Sequence, residues 1–411
     1  CYTGDLTNPR ASKYDLDYYV SMARELEAAG AHILGIKDMA GVCKPAAARL
    51  LVSTLKQEVG IPIHFHTHDT SGIAAASVLE AVNAGCDAVD GAMDAMSGLT
   101  SQPNLNSMVE ALRHGERDPG LSKEGMREIS RYWEGVRHFY APFEPEIRAG
   151  TADVYRHAMP GGQYTNLREQ ARSLGIDHHW PEVAQRYAEV NDMFGDIVKV
   201  TPSSKVVGDM ALYMVTSGLT PEDVTDPDKD IDFPESVVEL FAGELGQPPG
   251  GWPKALEAKV LKGGKGDTSR PGDHLPATDL EAKRDEVEKK IGRKVSDYEL
   301  ASYLMYPKVF VEYAAHQRHF GDVSILPTPV FFFGLKLEEE IAVDLEAGKT
   351  LIIRLLAVSE PDEEGQRKLF FELNGQPRTI AVVDASIKAT AVVNRKAEEG
   401  NPLHVAAPMP G

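Results

Sequence analysis

Ile63-His64-Phe65-His66-Thr67-His68-Asp69-Thr70 is the stretch on which the reading of this chain turns. It reads as the end of a β-strand, and histidines two apart on a strand point to the same side. Two imidazoles on one face, near a charged group from a neighbouring strand, can chelate a divalent metal. His66 and His68 are therefore candidate metal ligands. His64 shares their parity and is expected to lie deeper along the strand. The plainer alternative is a half-exposed strand with polar alternation.

The charged neighbour is Lys37, in Ile36-Lys37-Asp38-Met39-Ala40-Gly41, which also reads as a strand end. A protonated lysine repels a metal. Buried, its pKa falls, and the neutral amine can add CO2 to become a carbamate, an anionic oxygen ligand. The alternative for Lys37 is an ordinary salt bridge to Asp38 or Asp69.

Working outward, residues 1 to about 115 alternate strand and helix. The pattern predicts a helix over 16–29 stopped by Gly30, a strand over 31–36 and a helix over 45–58 with proline at its start. A strand over 61–66, a helix over 72–83, a strand over 86–93 and a helix over 105–113 follow. With residues 1–3 this makes four strand signals, half of a (β/α)8 barrel, on repeated βα units that imply parallel strands. Asp5, Lys37, His66, His68 and Asp94 cluster where strands give way to helices, the rim that carries the chemistry in such a barrel. A doubly wound sheet places ligands similarly, and periodicity alone leaves both open.

Residues 120 to about 270 read as mostly helical. The Gly-, Pro- and charge-rich stretch 262–275 reads as a linker. Beyond it, Thr278 and Glu281 form a capping-box pattern for a helix ended by Gly292. Two more helices are followed by strands predicted over 330–335, 350–358, 367–373 and 378–383, with a hairpin at Asn374-Gly375. This is a separate small α+β module.

The loop Val200-Thr201-Pro202-Ser203-Ser204-Lys205 has two readings. Thr201 or a serine could cap a helix. Alternatively a hydroxyl there shuttles a proton beside N–H groups and a cation that bind an anion or carbonyl. Asp94 is a rim carboxylate or a loop cap, while Gly98, Gly161 and Gly162 serve backbone geometry. No GxxxxGK[ST] loop occurs.

The bulk numbers fit an ordinary globular chain: 411 residues, 42% hydrophobic and 26% charged. The net charge of -19 argues against nucleic-acid binding. Three cysteines, Cys1, Cys43 and Cys86, lack metal-ligand spacing and suit a reducing compartment. No apolar run reaches 18 residues, so no membrane partner is expected. The chain opens without Met, as if in mid-strand, and ends in Ala407-Pro408-Met409-Pro410-Gly411, a linker composition.

Jointly these segments resemble the carboxyltransferase region of the pyruvate carboxylase family. The residues that carry the resemblance are Ile36 to Gly41, Lys44-Pro45, His66-Thr67-His68-Asp69-Thr70-Ser71-Gly72 and Met159-Pro160-Gly161-Gly162-Gln163-Tyr164-Thr165-Asn166-Leu167. To these add Val200 to Lys205 and Gly243-Glu244-Leu245-Gly246-Gln247-Pro248-Pro249-Gly250-Gly251. The resemblance implies an α/β fold, the C-terminal half of a (β/α)8 TIM barrel over 1–120, with a helical funnel over 121–270. A tetramerisation and allosteric α+β domain over 271–398 and a linker over 399–411 toward a biotinyl domain would follow. It implies zinc or manganese held by carbamylated Lys37, His66 and His68 with an aspartate, and carboxyl transfer from carboxybiotin to pyruvate giving oxaloacetate. Thr201 would relay the proton, and Thr201, Ser204 and Lys205 would line the biotin pocket. The implied partners are a biotinyl domain of another subunit, three further copies in a homotetramer and acetyl-CoA as activator. The implied location is the bacterial cytoplasm or the mitochondrial matrix.

By the same resemblance, the aspartate ligand, a pyruvate-binding arginine, the biotinylated lysine and the ATP-using domain fall outside this sequence, and the chain is expected to be a segment of something longer. Rival readings are an oxaloacetate decarboxylase or transcarboxylase subunit, and a metal-dependent lyase or condensing enzyme on the same barrel. A non-catalytic oligomerisation scaffold is the rival from another class.

Overall fold

Strand β1 (Leu34–Asp38) buries Leu34, Ile36 and Asp38 and turns Gly35 and Lys37 to its other face. The structure, a computed structural model, describes residues 1–9 and 13–386. Helix α1 (Leu16–Ala28) precedes β1, capped by the Asp15 carboxylate, which accepts from the Tyr18 amide. Helix α2 (Pro45–Glu58) starts on a proline, whose missing N–H costs nothing there. It buries Ala47, Ala48, Leu51, Val52 and Leu55 along one stripe. Strand β2 (Ile63–Thr67) buries Ile63, Phe65 and Thr67 and leaves His64 and His66 half-buried on the opposite face. Helix α3 (Ala74–Asn83) leads to β3 (Ala88–Val89).

The three strands form a parallel sheet in the order β1-β2-β3. The order follows the chain without reversing, so this part shows no switch point of the doubly wound kind. The expected fourth strand at 1–3 is instead a single link: the Tyr2 amide donates to the Lys37 carbonyl at 2.7 Å, and Tyr2 and Thr3 are buried. The strand expected over 86–93 is only two residues long. After Val89 the chain bends away to bond with residues 103–105, through Ala92 N–H to Pro103 O and Leu105 N–H to Ala92 O, both 2.9 Å.

Helices follow: α4 (Leu105–Leu112), α5 (Lys123–Tyr140), α6 (Val154–His157), α7 (Gly161–Ser173), α8 (Trp180–Met193), α9 (Ser203–Ser217), α10 (Pro221–Thr225), α11 (Glu235–Ala242) and α12 (Lys254–Val260). The chain divides into two compact units, Cys1–Ala277 and a second beginning at Thr278. The first holds two apolar cores. One packs β1 and β2 against α1, α2 and α3; the other joins α7, α8, α9 and α11 around Leu167, Tyr187, Phe194, Met210 and Phe241.

In the second unit, α13 (Leu280–Ile291), α14 (Asp297–Met305) and α15 (Pro307–Phe320) share a small core of Val287, Ile291, Leu300, Tyr303 and Phe310. The cap of α13 is Asp279, accepting from Ala282 N–H, rather than Thr278. The strand expected over 330–335 is a helix, α16 (Thr328–Phe333). Short apolar runs are ambiguous by periodicity, and here prolines at 327 and 329 pre-set a helix start while Gly334 stops it. The antiparallel sheet is β4 (Glu340–Glu346), β5 (Lys349–Val358), β6 (Gln366–Leu373) and β7 (Gln376–Val383), of which the sequence pattern had not marked β4. Asn374 and Gly375 both take positive φ, the turn that a two-residue hairpin needs. The expected linker over 399–411 lies outside the described residues.

Candidate active site

Lys37 and His66 are register partners on neighbouring parallel strands, so both side chains leave the same face of the sheet. Asp38, one residue on, faces the opposite way. Its fully buried carboxylate accepts from Val42 N–H and Cys43 N–H at 2.9 Å and from Thr67 Oγ1 at 2.8 Å, pinning the turn after β1. The salt bridge considered for Lys37 is therefore not made to Asp38. Nor does Asp69 supply it: its carboxylate accepts from Ala74 N–H at 2.9 Å at the start of α3.

His66 and His68 bring their Nε2 atoms to 3.4 Å. Two nitrogens at about 2.0–2.1 Å from one tetrahedral ion would lie about 3.3 Å apart. The other nitrogen of each ring is occupied. His68 Nδ1 donates to the Thr100 carbonyl at 2.7 Å, and His66 Nδ1 meets Asp90 Oδ2 at 2.7 Å. Asp90 Oδ1 meets His64 Nε2, also at 2.7 Å. Burial pushes the His68 imidazole below its ordinary pKa, the charges of His66 and Lys37 add to this, and the Thr100 bond offsets part of it. A neutral imidazole with its lone pair outward is the form that binds a metal. Burial raises the Asp90 carboxyl, but hydrogen bonds from His64 and His66 outweigh it and hold it below the usual range. The histidine pair thus fits a divalent ion by donor chemistry; Lys37 fits only as an anion.

Gly161, the first residue of α7, makes this arrangement possible. A Cβ there would lie 2.5 Å from the Thr100 carbonyl and 2.6 Å from His68 Nδ1. Its N–H donates to the Met39 carbonyl at 2.8 Å, tying α7 to the end of β1. Gly41 has φ +70°, and a Cβ there would strike the His68 carbonyl.

Above the histidines lies a cleft of about 920 Å3, lined by Lys37, His68, Gln163, Asn166, Thr201 and Lys205 among others. Its walls come from the end of β1, His68 just past β2, α7, the loop before α9 and α9 itself. The capping reading of Thr201 fails: α9 has Pro202 at its cap position and no side-chain cap. Ser203 Oγ instead braces the loop, donating to the carbonyls of Val198 and Val200 at 2.7 Å. Thr201 is exposed and lines the cleft. Lys205 lines it too, its ammonium 2.8 Å from Asp209 one helical turn on, and Asp209 also accepts from Ser236. Ser204 departs from expectation. It is 1% exposed, belongs to the buried residues of α9 and is not among the residues lining the cleft.

Two other expected rim residues go elsewhere. Asp5 pairs with Lys44 at 2.6 Å in a separate cleft beside Lys199 and Asp196. Asp94 opens a single 3-10 turn, and its carbonyl accepts from Ser97. Asp90 takes the part assigned to a rim carboxylate; its signal was an Asp at the end of an apolar strand, three residues inside the predicted boundary at Met93. Thr100 acts through its backbone and left no mark in the sequence. Among the described residues no three His, Cys, Asp or Glu side chains converge on one point, so any third ligand has to be Lys37 or lie outside that set.

This geometry can be set beside known proteins. Residues 5–132 match the family described as HMGL-like, and residues 154–354 the family described as conserved carboxylase domain. The chain is 50% identical over all 411 residues to pyruvate carboxylase of Bacillus subtilis, and 48% identical over 413 to pyruvate carboxylase 1 of Caenorhabditis elegans. The chain is homologous to pyruvate carboxylase. It spans 36% of the Bacillus subtilis pyruvate carboxylase and 35% of the Caenorhabditis elegans one, about a third of each. The carboxyl transferase domain of Rhizobium etli pyruvate carboxylase superposes with a TM-score of 0.88 at 60% identity, over 94% of this chain and 65% of that one. The same domain has been solved with pyruvate and biocytin. The complete Rhizobium etli pyruvate carboxylase matches over 94% of this chain and 38% of its own, with a TM-score of 0.87. The α/β fold thus matches that of a pyruvate carboxylase carboxyl transferase domain, with the βα part of this chain falling in the HMGL-like match.

Proposed function

We propose that this cleft transfers a carboxyl group from carboxybiotin to pyruvate, giving oxaloacetate. The observation that carries the reading is that Thr201 lines the same cleft as Lys37 and His68, with its hydroxyl unused by any helix cap. His66, His68 and a carbamylated Lys37 would hold a divalent ion, zinc or manganese. When bound, such an ion would polarise the acceptor carbonyl and stabilise its enolate form. The chain's own residues do the rest. Pyruvate must lose a methyl proton and the ureido nitrogen of the spent donor must gain one, and the Thr201 hydroxyl is suited to pass it. Lys205, anchored by Asp209, offers a cation at the cleft mouth, while Ser204 contributes through the packing of α9. In the same reading the carboxyl donor arrives on a biotinyl domain of another subunit of a homotetramer. ATP is consumed at a separate domain, acetyl-CoA activates the assembly, and its home is the bacterial cytoplasm or the mitochondrial matrix.

The test is Thr201→Ala in the whole polypeptide, assayed for biotin-dependent oxaloacetate decarboxylation. Loss of a positioned proton carrier is expected to cost about 100-fold or more with unchanged circular dichroism, and Thr201→Ser should keep part of the activity. Oxaloacetate turnover near that of the unaltered protein would overturn the role.

A further inference from the structure

Asp90 stands where the chain leaves β3, and the chemistry proposed above makes no use of it. Its two oxygens are divided between two rings of one strand: Oδ1 at 2.7 Å from His64 Nε2, Oδ2 at 2.7 Å from His66 Nδ1. Its own amide donates to the Phe65 carbonyl at 3.2 Å, fixing its backbone to β2 between the two histidines. An ionised carboxylate only accepts, so each ring nitrogen that faces it carries a hydrogen. For His66 that hydrogen sits on Nδ1. Its Nε2 is then left with a lone pair, aimed at His68 Nε2 at 3.4 Å. His68 reaches the same tautomer by another route, donating Nδ1–H to the Thr100 carbonyl.

We propose that Asp90 is a positioning residue for His66 and that His64 is its clamp rather than a ligand. The proposal rests on the reading of His66 and His68 as metal ligands. A carboxylate free to rotate would let the His66 ring swing. Asp90 Oδ2 alone sets the tautomer of His66, and the hold of His64 on the second oxygen fixes the direction of His66 Nε2. A charged acceptor behind His66 also makes that ring a stronger donor than His68, which has only a carbonyl dipole behind it. The three histidines therefore divide their labour: two face the ion and one holds the carboxylate.

Two measurements test this. In the metal-free protein, nitrogen-15 spectra of the histidine rings at about pH 8, above the ordinary histidine range, should show His66 as the Nδ1–H tautomer. Asp90→Ala should remove that preference, and His64→Phe should keep it. Separately, Co2+ affinity measured by chelator competition should fall about 10–100-fold in Asp90→Ala, and less in His64→Phe. Asp90→Asn, of equal size, keeps one acceptor and should fall between, which preserves the comparison if the alanine variant folds poorly. An Nε2–H tautomer for His66 in the unaltered protein, or Co2+ affinity within about two-fold in both Asp90 variants, would overturn the proposal. If the unaltered protein takes no Co2+, the metal reading fails, and the tautomer spectrum alone decides what Asp90 does.

Discussion

At the scale of single residues, the first unit holds several buried titratable groups whose burial sets its acid response. His157 is 3% exposed, and burial pushes its imidazole down to about 4, with Lys199 and Arg156 acting in the same direction and Asp153 against. Its Nδ1 accepts from the Met159 amide at 3.0 Å, a bond that protonation removes. The unfolded chain binds this proton near pH 6.5 and the folded one only near 4. The stability tied to neutral His157 is therefore complete above about 6.5 and is lost as pH falls toward 4. At pH 5 the loss is expected to be about 2 kcal/mol. All three tryptophans, Trp133, Trp180 and Trp252, lie in this unit. Urea unfolding followed by their fluorescence at pH 7 and pH 5 should show a smaller drop for His157→Asn than for the unaltered chain.

At the scale of elements, helix ends are settled by single side chains. Helix α14 begins with a reciprocal capping box: Ser296 Oγ accepts from Glu299 N–H at 3.2 Å, and Glu299 Oε2 accepts from Ser296 N–H at 2.9 Å. Glu299 is held at about 2, first by its bond to Arg293 and then by the Ser296 amide. Ser296→Ala should cost about 1 kcal/mol, read as a lower urea midpoint in the far-ultraviolet signal of the helices. The same scale shows where sequence patterns give out. The period of two in β2 correctly put His64 and His66 on one face, because alternation is a local property of a strand, and His68, just past the strand end, keeps its Nε2 within 3.4 Å of that of His66. The pairing of Lys37 with His66 is a matter of register between strands, which spacing does not encode. Val330 to Leu335 failed as a strand because an apolar run carries no period of its own, and the flanking prolines decided for helix. Thr201 failed as a cap because Ser203, two residues on, already sits inside the helix.

At the scale of the whole molecule, what was legible was the parallel βα sheet and the face of it that carries Lys37 and His66. The family motifs supplied the expectation of chemistry and substrate. What was not legible came from contacts between distant segments: Asp90 with two histidines, Thr100 with His68, Gly161 against both. Ser204 shows the converse, a motif residue that the packing of α9 turns away from the cleft. The net charge of -19 is a property of the chain as a whole. The protein should pass through a DNA column at about 0.15 M salt and be retained by an anion exchanger; retention on DNA would contradict the charge argument. Among the described residues no helix is long and apolar enough to cross a membrane.

The contact of Gly161 with His68 and Thr100 has an engineering consequence. The first turn of α7 is bonded to Met39 and packed closely against the imidazole, so wall and floor of the cleft meet there with no room for a side chain at Gly161. A redesign for a bulkier guest cannot begin there without dislodging His68. Room has to be cut elsewhere in the lining, at Val200 and Leu212, or further along α7 at Gln170 and Ser173.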